Sequence, residues 1–305
     1  MTNEFLDPLS NEFVKSTLAL CGDRGKRWLD TLPERIADLE RAWSIEVESH
    51  FRNLSFNYVA PAKCENGERA VLKIGLPLTD IEIFGEADFL RSRTGNGAVK
   101  LLGEDRELQA ILVERAEPGI DLKKIFEGRE DEAIVPAIEL LQRILLRPTA
   151  DNTNIILLDD WFDGMRRHPD SGFPSRYATK ALEIYETLSK QRERIFYLHG
   201  DFHHENILSS GRDRYLVIDP KGIVGHIGYE IAVFLNNHHW WMDTEPDIQE
   251  RLDRAVKRFS EAFSIKPFEL RQWAFAQMVL SAWWTFDEMR EIYNNEVAMA
   301  EIWDV

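Results

Sequence analysis

Residues 199–206 read His-Gly-Asp-Phe-His-His-Glu-Asn, and residues 217–222 read Val-Ile-Asp-Pro-Lys-Gly. Short apolar runs that are typical of strands lead into both segments, so the polar groups are predicted at strand ends. Asp201 lies five residues before Asn206, and Asn206 lies thirteen residues before Asp219. These separations are the most informative feature of the chain, because they place three oxygen-bearing side chains in two short loops.

The three side chains form the set that phosphoryl transfer requires. One carboxylate must orient the attacking hydroxyl and accept its proton, and Asp201 suits this function. An amide oxygen and a second carboxylate must hold magnesium against the nucleotide phosphates, and Asn206 and Asp219 suit that function. The separations match those between the catalytic loop and the magnesium loop of the kinase fold. The sequence therefore predicts a nucleotide and Mg²⁺ as cofactors.

A lysine in an apolar strand is the second informative feature. Lys73 lies near the end of the run Ala70–Ile74, where its charge requires an anionic partner. Nucleotide phosphates and a helix carboxylate would provide one. Glu82 and Glu86 are one turn apart on the same face of the next predicted helix. Glu86 is preferred as the partner, because the apolar residues after it can pack that helix against the sheet.

The elements around these residues predict an α+β fold. Before residue 118 they are a helix that begins with a capping box at Thr31, a hairpin over Asn57–Ile74, a helix over Glu82–Arg91, and strands over Ala98–Leu102 and Gln109–Val113. Pro118-Gly119 breaks the chain, and helical periodicity dominates beyond it. We expect a small N-terminal lobe with an antiparallel sheet over residues 1–115. A larger, mainly helical C-terminal lobe is expected over residues 116–305.

Composition restricts the class of partner and the compartment. The 305 residues include 37 Lys and Arg against 53 Asp and Glu, a net charge of -16 at pH 7. This sign argues against general nucleic-acid or anionic-membrane binding and permits a cationic small-molecule partner. Cys21 and Cys64 have no metal-ligand spacing and are predicted to be free thiols of a reducing compartment. No signal peptide is evident, and the longest uncharged stretch, residues 272–286, is shorter than the roughly 20 residues that a bilayer requires. We expect a cytoplasmic protein.

At this point the sequence resembles the aminoglycoside phosphotransferase superfamily of kinase-like enzymes, and within it the aminoglycoside 6-phosphotransferase and hydroxyurea phosphotransferase family. The resemblance covers most of the chain. Its motifs are Gly25–Pro33, Asn57–Ala62, Ala70–Lys73, Gly97–Leu102, Leu112–Gly119, His199–Leu208 and Ile218–Gly225. The Asp-Pro-Lys-Gly sequence at residues 219–222 is the most specific marker, because it separates this family from many other small-molecule kinases.

The resemblance implies a bilobal protein-kinase-like fold with the nucleotide held between the lobes. It implies that Asp201 is the catalytic base and that Asn206 and Asp219 bind magnesium. It also implies that Lys73 contacts the phosphates of ATP with Glu86 as its partner.

The nucleotide site implied by the resemblance has two further parts. The connection between the lobes, Glu114–Ala116, would offer main-chain groups to adenine. No Gly-x-Gly-x-x-Gly sequence precedes Lys73, which departs from the usual kinase pattern. The loop over the phosphates would then be Leu54–Tyr58, with Ser55 and Asn57 as the contacting residues.

Residues 240–247 lie where this superfamily builds its acceptor site. They include Trp240, Trp241, Asp243, Glu245 and Asp247. Acidic groups there would suit a polycationic sugar, although a solvated helix face explains them nearly as well. The predicted acceptor is therefore a streptomycin-like aminocyclitol, and hydroxyurea or another small metabolite is the alternative within the same fold.

Two other classes of protein stay open. His199, Asp201, His203 and His204 could be ligands of a binuclear metal site, which would make the protein a phosphoesterase. Alternatively, His199 braces the catalytic loop through hydrogen bonds within the fold. A kinase-shaped protein that binds nucleotide without catalysis is the remaining class. Such a protein would usually lack the base or a magnesium ligand, and this chain retains all three.

Overall fold

The computed structural model describes residues 8–52, 54, 57–78, 82–149, 156–168, 172–241, 246–289, 300–303 and 305. The chain has an α+β fold and divides into two compact units, Met1–Gly119 and Ile120–Val305. An antiparallel sheet characterises the first unit, and helices dominate the second.

The first unit opens with a long helix, α1, over Asn11–Trp43. Ser10 caps it by accepting a hydrogen bond from the N–H of Phe13, and a kink at Gly22 interrupts its helical backbone. The capping box predicted at Thr31 is wrong, because the Thr31 hydroxyl donates to the Arg27 carbonyl inside the helix, at 2.9 Å. The buried face of α1 continues from Thr31 back to Phe13. Packing of this face stabilises the helix well before the predicted start.

Five strands form the sheet of the first unit, in the order β1-β2-β3-β5-β4. They are β1 (Ile45–Val47), β2 (Asn57–Cys64), β3 (Arg69–Gly75), β4 (Leu101–Asp105) and β5 (Ala110–Glu114). The predicted hairpin is confirmed as the antiparallel pair of β2 and β3. The strand expected over residues 98–102 begins later, at residue 101. Helix α2 (Glu82–Arg93) contacts β3, β4 and β5, and buries Ala87, Phe89 and Leu90.

The second unit contains seven helices among its described residues. They are α3 (Leu122–Ile125), α4 (Ile134–Ile144), α5 (Leu158–Arg167), α6 (Ser175–Leu188), α7 (Ile227–Trp241), α8 (Ile248–Phe263) and α9 (Pro267–Met289). Helix α7 is buried along most of its length and packs on α9. Their approach requires Gly228, because a Cβ there would lie 2.2 Å from the Trp273 ring.

Two small sheets carry the loops of interest. The first has the order β10-β9-β6 and the second β7-β11-β8. Their strands are β6 (Pro118–Asp121), β7 (Ile156–Leu157), β8 (Ile195–Leu198), β9 (Ile207–Ser210), β10 (Tyr215–Val217) and β11 (Ile223–His226). One loop joins β8 to β9 and the other joins β10 to β11. Main-chain hydrogen bonds tie the loops together, with Lys221 N donating to His199 O at 2.7 Å and Ile218 N to Asn206 O at 3.0 Å. Asp201, Asn206 and Asp219 therefore lie in two loops that are hydrogen-bonded to each other.

A search for membrane-spanning helices within the described part of the chain finds none with the required length and hydropathy.

Candidate active site

Asp201 and Asn206 are joined by hydrogen bonds within one loop. The Nδ2 of Asn206 donates to the main-chain oxygen of Asp201 at 2.9 Å and to its Oδ2 at 3.2 Å. Asn206 closes a short 3₁₀ turn over His204–Asn206 and is buried, whereas the Asp201 side chain is 39% exposed. The amide thus fixes the carboxylate while leaving it open to solvent.

His203 lies on the other side of the same carboxylate. Its Nδ1 accepts a hydrogen bond from the N–H of Glu205 at 3.3 Å, and its Nε2 lies 3.6 Å from Asp201 Oδ1. A neutral imidazole whose Nδ1 accepts carries its proton on Nε2, so that proton lies on the Asp201 side. Burial raises the pKa of Asp201, but His203, His199 and Lys221 outweigh burial and lower this pKa to about 2. The carboxylate is therefore ionised at neutral pH.

His199 has no access to solvent and braces the loop from beneath. Its Nδ1 accepts from the N–H of Asp201 at 3.2 Å, and its Nε2 lies 2.8 Å from the carbonyl oxygen of Ile218. Burial lowers the pKa of His199 to about 4, although the charge of Asp201 acts in the opposite direction. The sequence places His199 in the predicted catalytic loop, and these hydrogen bonds agree with the bracing function suggested for it there.

Glu230 is a buried carboxylate that sequence reasoning missed. It lies on α7, and its two oxygens accept from the N–H groups of His199 at 2.6 Å and Gly200 at 2.8 Å. Helix α7 thereby fixes the start of the loop that carries Asp201. A signal existed in the sequence, since Glu230 is the one charged residue in the apolar run Ile227–Leu235.

Asp219 follows directly after the segment that is bonded to Asn206. It is exposed and has a φ of 58°, in the left-handed region that aspartate tolerates better than most residues. The Ile218 N–H, one residue earlier, donates to the Asn206 carbonyl, so Asn206 and Asp219 belong to neighbouring loops. Both residues supply oxygen atoms of the kind that a hard divalent cation prefers.

Lys73 and Glu86 form a buried ion pair in the first unit. Lys73 Nζ lies 2.6 Å from Glu86 Oε1, and both side chains are almost fully buried. Strand β3 carries the lysine and α2 carries the glutamate. Each charge has its partner in a region of low dielectric constant, which makes the pair costly to break.

The sequence assigns four other residues of the first unit to the nucleotide site. Ser55 lies outside the described residues. Asn57 begins β2 and pairs with Gly75, at the edge of the loop that the sequence assigned to the phosphates. Glu114 ends β5, and its N–H donates to the Lys100 carbonyl at 2.8 Å. Ala116 is buried two residues further on.

The acceptor residues predicted near the end of α7 have different environments. Asp243 and Glu245 lie outside the described residues. Trp240 is 44% exposed, whereas Trp241 is half-buried with its ring 4.9 Å from the ring of His204. Asp247 accepts from Arg251 Nε at 2.9 Å, so its charge is partly neutralised by that arginine.

The loop does not fit a binuclear metal site. No group of three or more His, Cys, Asp or Glu side chains in the described part of the chain is placed to hold a metal ion. Two of the four suggested ligands are buried and engaged elsewhere, since His199 braces the loop and His204 Nε2 lies 3.1 Å from His238 Nδ1. Within the described residues, the four side chains that the phosphoesterase alternative requires therefore do not form a metal site.

The fold is one that known kinases share. The structure of amicoumacin kinase in complex with AMP-PNP, Ca2+ and Ami has the same fold, with a TM-score of 0.60 at 17% identity over 90% of this chain and 96% of that chain. Streptomycin 6-kinase of Streptomyces griseus is 24% identical over 289 residues, which cover 92% of each chain. Hydroxyurea phosphotransferase of Kitasatospora aureofaciens is 26% identical over 301 residues, covering 95% of this chain and 84% of the relative.

Residues 43–288 match the aminoglycoside/hydroxyurea antibiotic resistance kinase family, and this chain belongs to that family. The resemblance stated from the motifs is confirmed, and the protein is a phosphotransferase. Membership of a kinase family implies ATP as the phosphoryl donor.

Proposed function

We propose that this enzyme transfers the γ-phosphoryl group of ATP to a hydroxyl group of a streptomycin-like aminocyclitol. The relatives named for streptomycin phosphorylation support the acceptor, since they match almost the whole chain. The observation that carries the proposal is the hydrogen bond of Asn206 to the Asp201 carboxylate, because it joins the proposed base to a proposed magnesium ligand.

Asp201 is the proposed catalytic base. Its Oδ2 is held by Asn206, and its Oδ1 lies beside His203 Nε2. A carboxylate with a pKa of about 2 is a weak base, so its main contribution is to orient the acceptor hydroxyl for attack. The hydroxyl oxygen attacks the γ-phosphorus as its proton passes to Asp201, and ADP leaves.

Asn206 and Asp219 are the proposed magnesium ligands. Because Asn206 Nδ2 donates to Asp201, its Oδ1 is the atom left for a cation. Asp219 contributes an exposed carboxylate from the neighbouring loop. Mg²⁺ held by these oxygens would neutralise negative charge on the phosphates of ATP.

Lys73, oriented by Glu86, is the proposed contact of the first unit to the phosphates of ATP. Main-chain groups of Glu114–Ala116 are the proposed contacts to adenine. The N–H groups of Glu114 and Arg115 already donate to the carbonyls of Lys100 and Arg69, so the contact to adenine is proposed for other main-chain groups of this segment.

Hydroxyurea is the second candidate acceptor, and a specific relative favours it. The phosphotransferase named for hydroxyurea matches 95% of this chain at 26% identity. The proposed residues for base, metal and phosphate contacts are the same for both acceptors. The two candidates therefore differ only in the residues that bind the acceptor.

A coupled assay of ADP release tests the proposal. The purified protein is offered streptomycin, hydroxyurea and ethanolamine with ATP, in the presence of Mg²⁺ or of EDTA. We expect Mg²⁺-dependent ADP release with streptomycin, and a product that carries one added phosphoryl group by mass spectrometry. Turnover of hydroxyurea alone would favour the second acceptor. Binding of Mg-ATP without turnover of any acceptor would favour a catalytically silent protein.

A further inference from the structure

An indole ring packs against the residue that precedes the proposed base. Gly200 has a φ of 85°, and a Cβ added to it would lie 3.3 Å from Trp161 Cη2. Trp161 belongs to α5, and Gly200 is followed directly by Asp201. The far edge of the Trp161 ring therefore contacts the catalytic loop itself.

Two more aromatic rings continue this contact. The Trp161 and Trp284 rings meet edge to face, with centroids 5.2 Å apart and an interplanar angle of 88°. On another side, Trp161 meets the ring of Tyr229 at 5.8 Å. Tyr229 is buried, and its pKa is raised by burial and then by the charge of Asp201. The rings from α5, α7 and α9 thus form one cluster, which approaches the loop at Gly200, the residue before Asp201.

The two tryptophans of the cluster are only half-buried, which distinguishes them from core residues. Trp161 and Trp284 keep part of their surface in solvent, whereas the adjacent Trp283 is buried against Phe173 and close to Gly164. Asp287, one turn beyond Trp284 on α9, is exposed on the same helix face. Half-exposed indoles close to the loop that carries Asp201 are a setting for an organic cation, because the face of an indole attracts positive charge.

We propose that Trp161 and Trp284 bind a cationic group of the acceptor while Asp201 orients its hydroxyl. This inference rests on the proposed function and names the acceptor-binding side chains, which differ from Trp240 and Trp241 at the end of α7. Ammonium and guanidinium groups are the chemical class that the two rings would recognise. A neutral acceptor would gain only apolar contact from the same rings.

The test compares Trp161→Leu and Trp284→Leu with the wild-type enzyme on a cationic and a neutral acceptor. We expect KM for streptomycin to rise about tenfold in each variant, as a lost cation–π contact in a partly desolvated site predicts. KM for hydroxyurea and for ATP should change less than about twofold, and kcat less than about threefold. Trp284→Phe should recover part of the streptomycin affinity, because phenylalanine restores a weaker aromatic face.

Trp240→Leu is the matched control, since it removes an exposed tryptophan at the rival acceptor position. Circular dichroism and the melting temperature show whether each variant folds. Unchanged KM for streptomycin in a folded Trp284→Leu protein would overturn the inference. So would an equal rise of KM for both acceptors, or a rise confined to Trp240→Leu.

Calorimetric binding of streptomycin separates this inference from the proposed function. A wild-type protein that binds streptomycin without phosphorylating it overturns the proposed function, and the affinities of the tryptophan variants still test the aromatic site. A wild-type protein that binds streptomycin no more tightly than hydroxyurea overturns the inference.

Discussion

The Asp201 carboxylate is held by one neighbour at each oxygen, Asn206 at Oδ2 and His203 at Oδ1. Loss of this restraint should lower the rate of phosphoryl transfer, because catalysis of that reaction depends mainly on positioning and on charge stabilisation. The side chain keeps its ionised form through neighbouring groups and not through exposure alone, since burial by itself would raise its pKa. Its replacement therefore tests orientation and proton acceptance together.

The Asp201→Asn variant keeps the size of the side chain and removes its charge. We expect turnover to fall by about 10²- to 10⁴-fold, the usual contribution of a positioned base. The affinity for Mg-ATP should change less than about threefold. ADP release and calorimetry measure the two quantities. Glu205→Gln is the control, because it removes an exposed carboxylate from the same loop. Turnover near that of the wild type in Asp201→Asn would contradict the proposed base.

The ion pair of Lys73 and Glu86 makes a prediction about stability. Glu86→Ala leaves a buried ammonium without its carboxylate, and we expect the free energy of unfolding to fall by about 3–5 kcal/mol. The double variant Lys73→Met/Glu86→Leu should lose less, because no buried charge remains. Urea denaturation measures both. A double variant less stable than Glu86→Ala would contradict the account.

At the scale of elements, one helix holds the loop that carries Asp201. Glu230 on α7 accepts from two consecutive main-chain N–H groups, so the register of α7 sets the position of the residues just before Asp201. The close packing of α7 on α9 at Gly228 fixes that register in turn. The loop is therefore positioned by helix packing and not by its own sequence alone.

Replacing Glu230 by Gln exchanges one acceptor oxygen for an NH₂ group. One of the two N–H groups, of His199 or Gly200, then loses its buried acceptor. We expect the free energy of unfolding to fall by about 1–3 kcal/mol and kcat to fall more than KM for ATP rises. Denaturation and steady-state kinetics measure these changes. Glu139→Gln, on α4, is the control. If the Glu230→Gln variant had the same free energy of unfolding and the same kcat as the wild-type protein, α7 would not position the loop.

Periodicity predicted most elements and failed where packing extends them. The hairpin of β2 and β3 was predictable because its two strand-forming segments lie on either side of one turn, so the signal is contained in a short stretch of sequence. Helix α1 begins about twenty residues before the predicted capping box, because buried residues such as Phe13 and Cys21 stabilise an upstream segment. Local capping signals do not report such tertiary contacts.

At the scale of the whole molecule, buried histidines link stability to pH. Burial lowers the pKa of His238 to about 4, although Asp131 and Glu130 act in the opposite direction. Burial, followed by the charge of Arg194, lowers the pKa of His226 to about 3. Both values lie below the roughly 6.5 of an unfolded chain. At a pH between the folded and the unfolded pKa values, these histidines bind more protons in the unfolded chain than in the folded protein. The free energy of unfolding therefore falls as pH decreases from about 6.5 towards 4.

We expect the free energy of unfolding to decrease between pH 7 and pH 5 by about 2 kcal/mol for each of these two histidines. Urea denaturation at both pH values measures the decrease. The His238→Asn variant should lose part of this pH dependence. His168→Asn should retain it, because His168 is exposed. Stability that is constant or rises as the pH falls to 5 would contradict the prediction.

The sequence alone determined the kinase class through its motifs, and it also determined the hairpin of β2 and β3 and the spacing of Asp201, Asn206 and Asp219, because these features depend on residues close together along the chain. Only the tertiary structure revealed Glu230 beneath the catalytic loop and Trp161 beside it. Glu230 lies 31 residues after His199 in the sequence, and its carboxylate accepts a hydrogen bond from the His199 N–H. This contact depends on the position at which α7 packs in the interior. That position is decided by how the side chains of neighbouring elements fit together, and periodicity along the chain does not specify this fit.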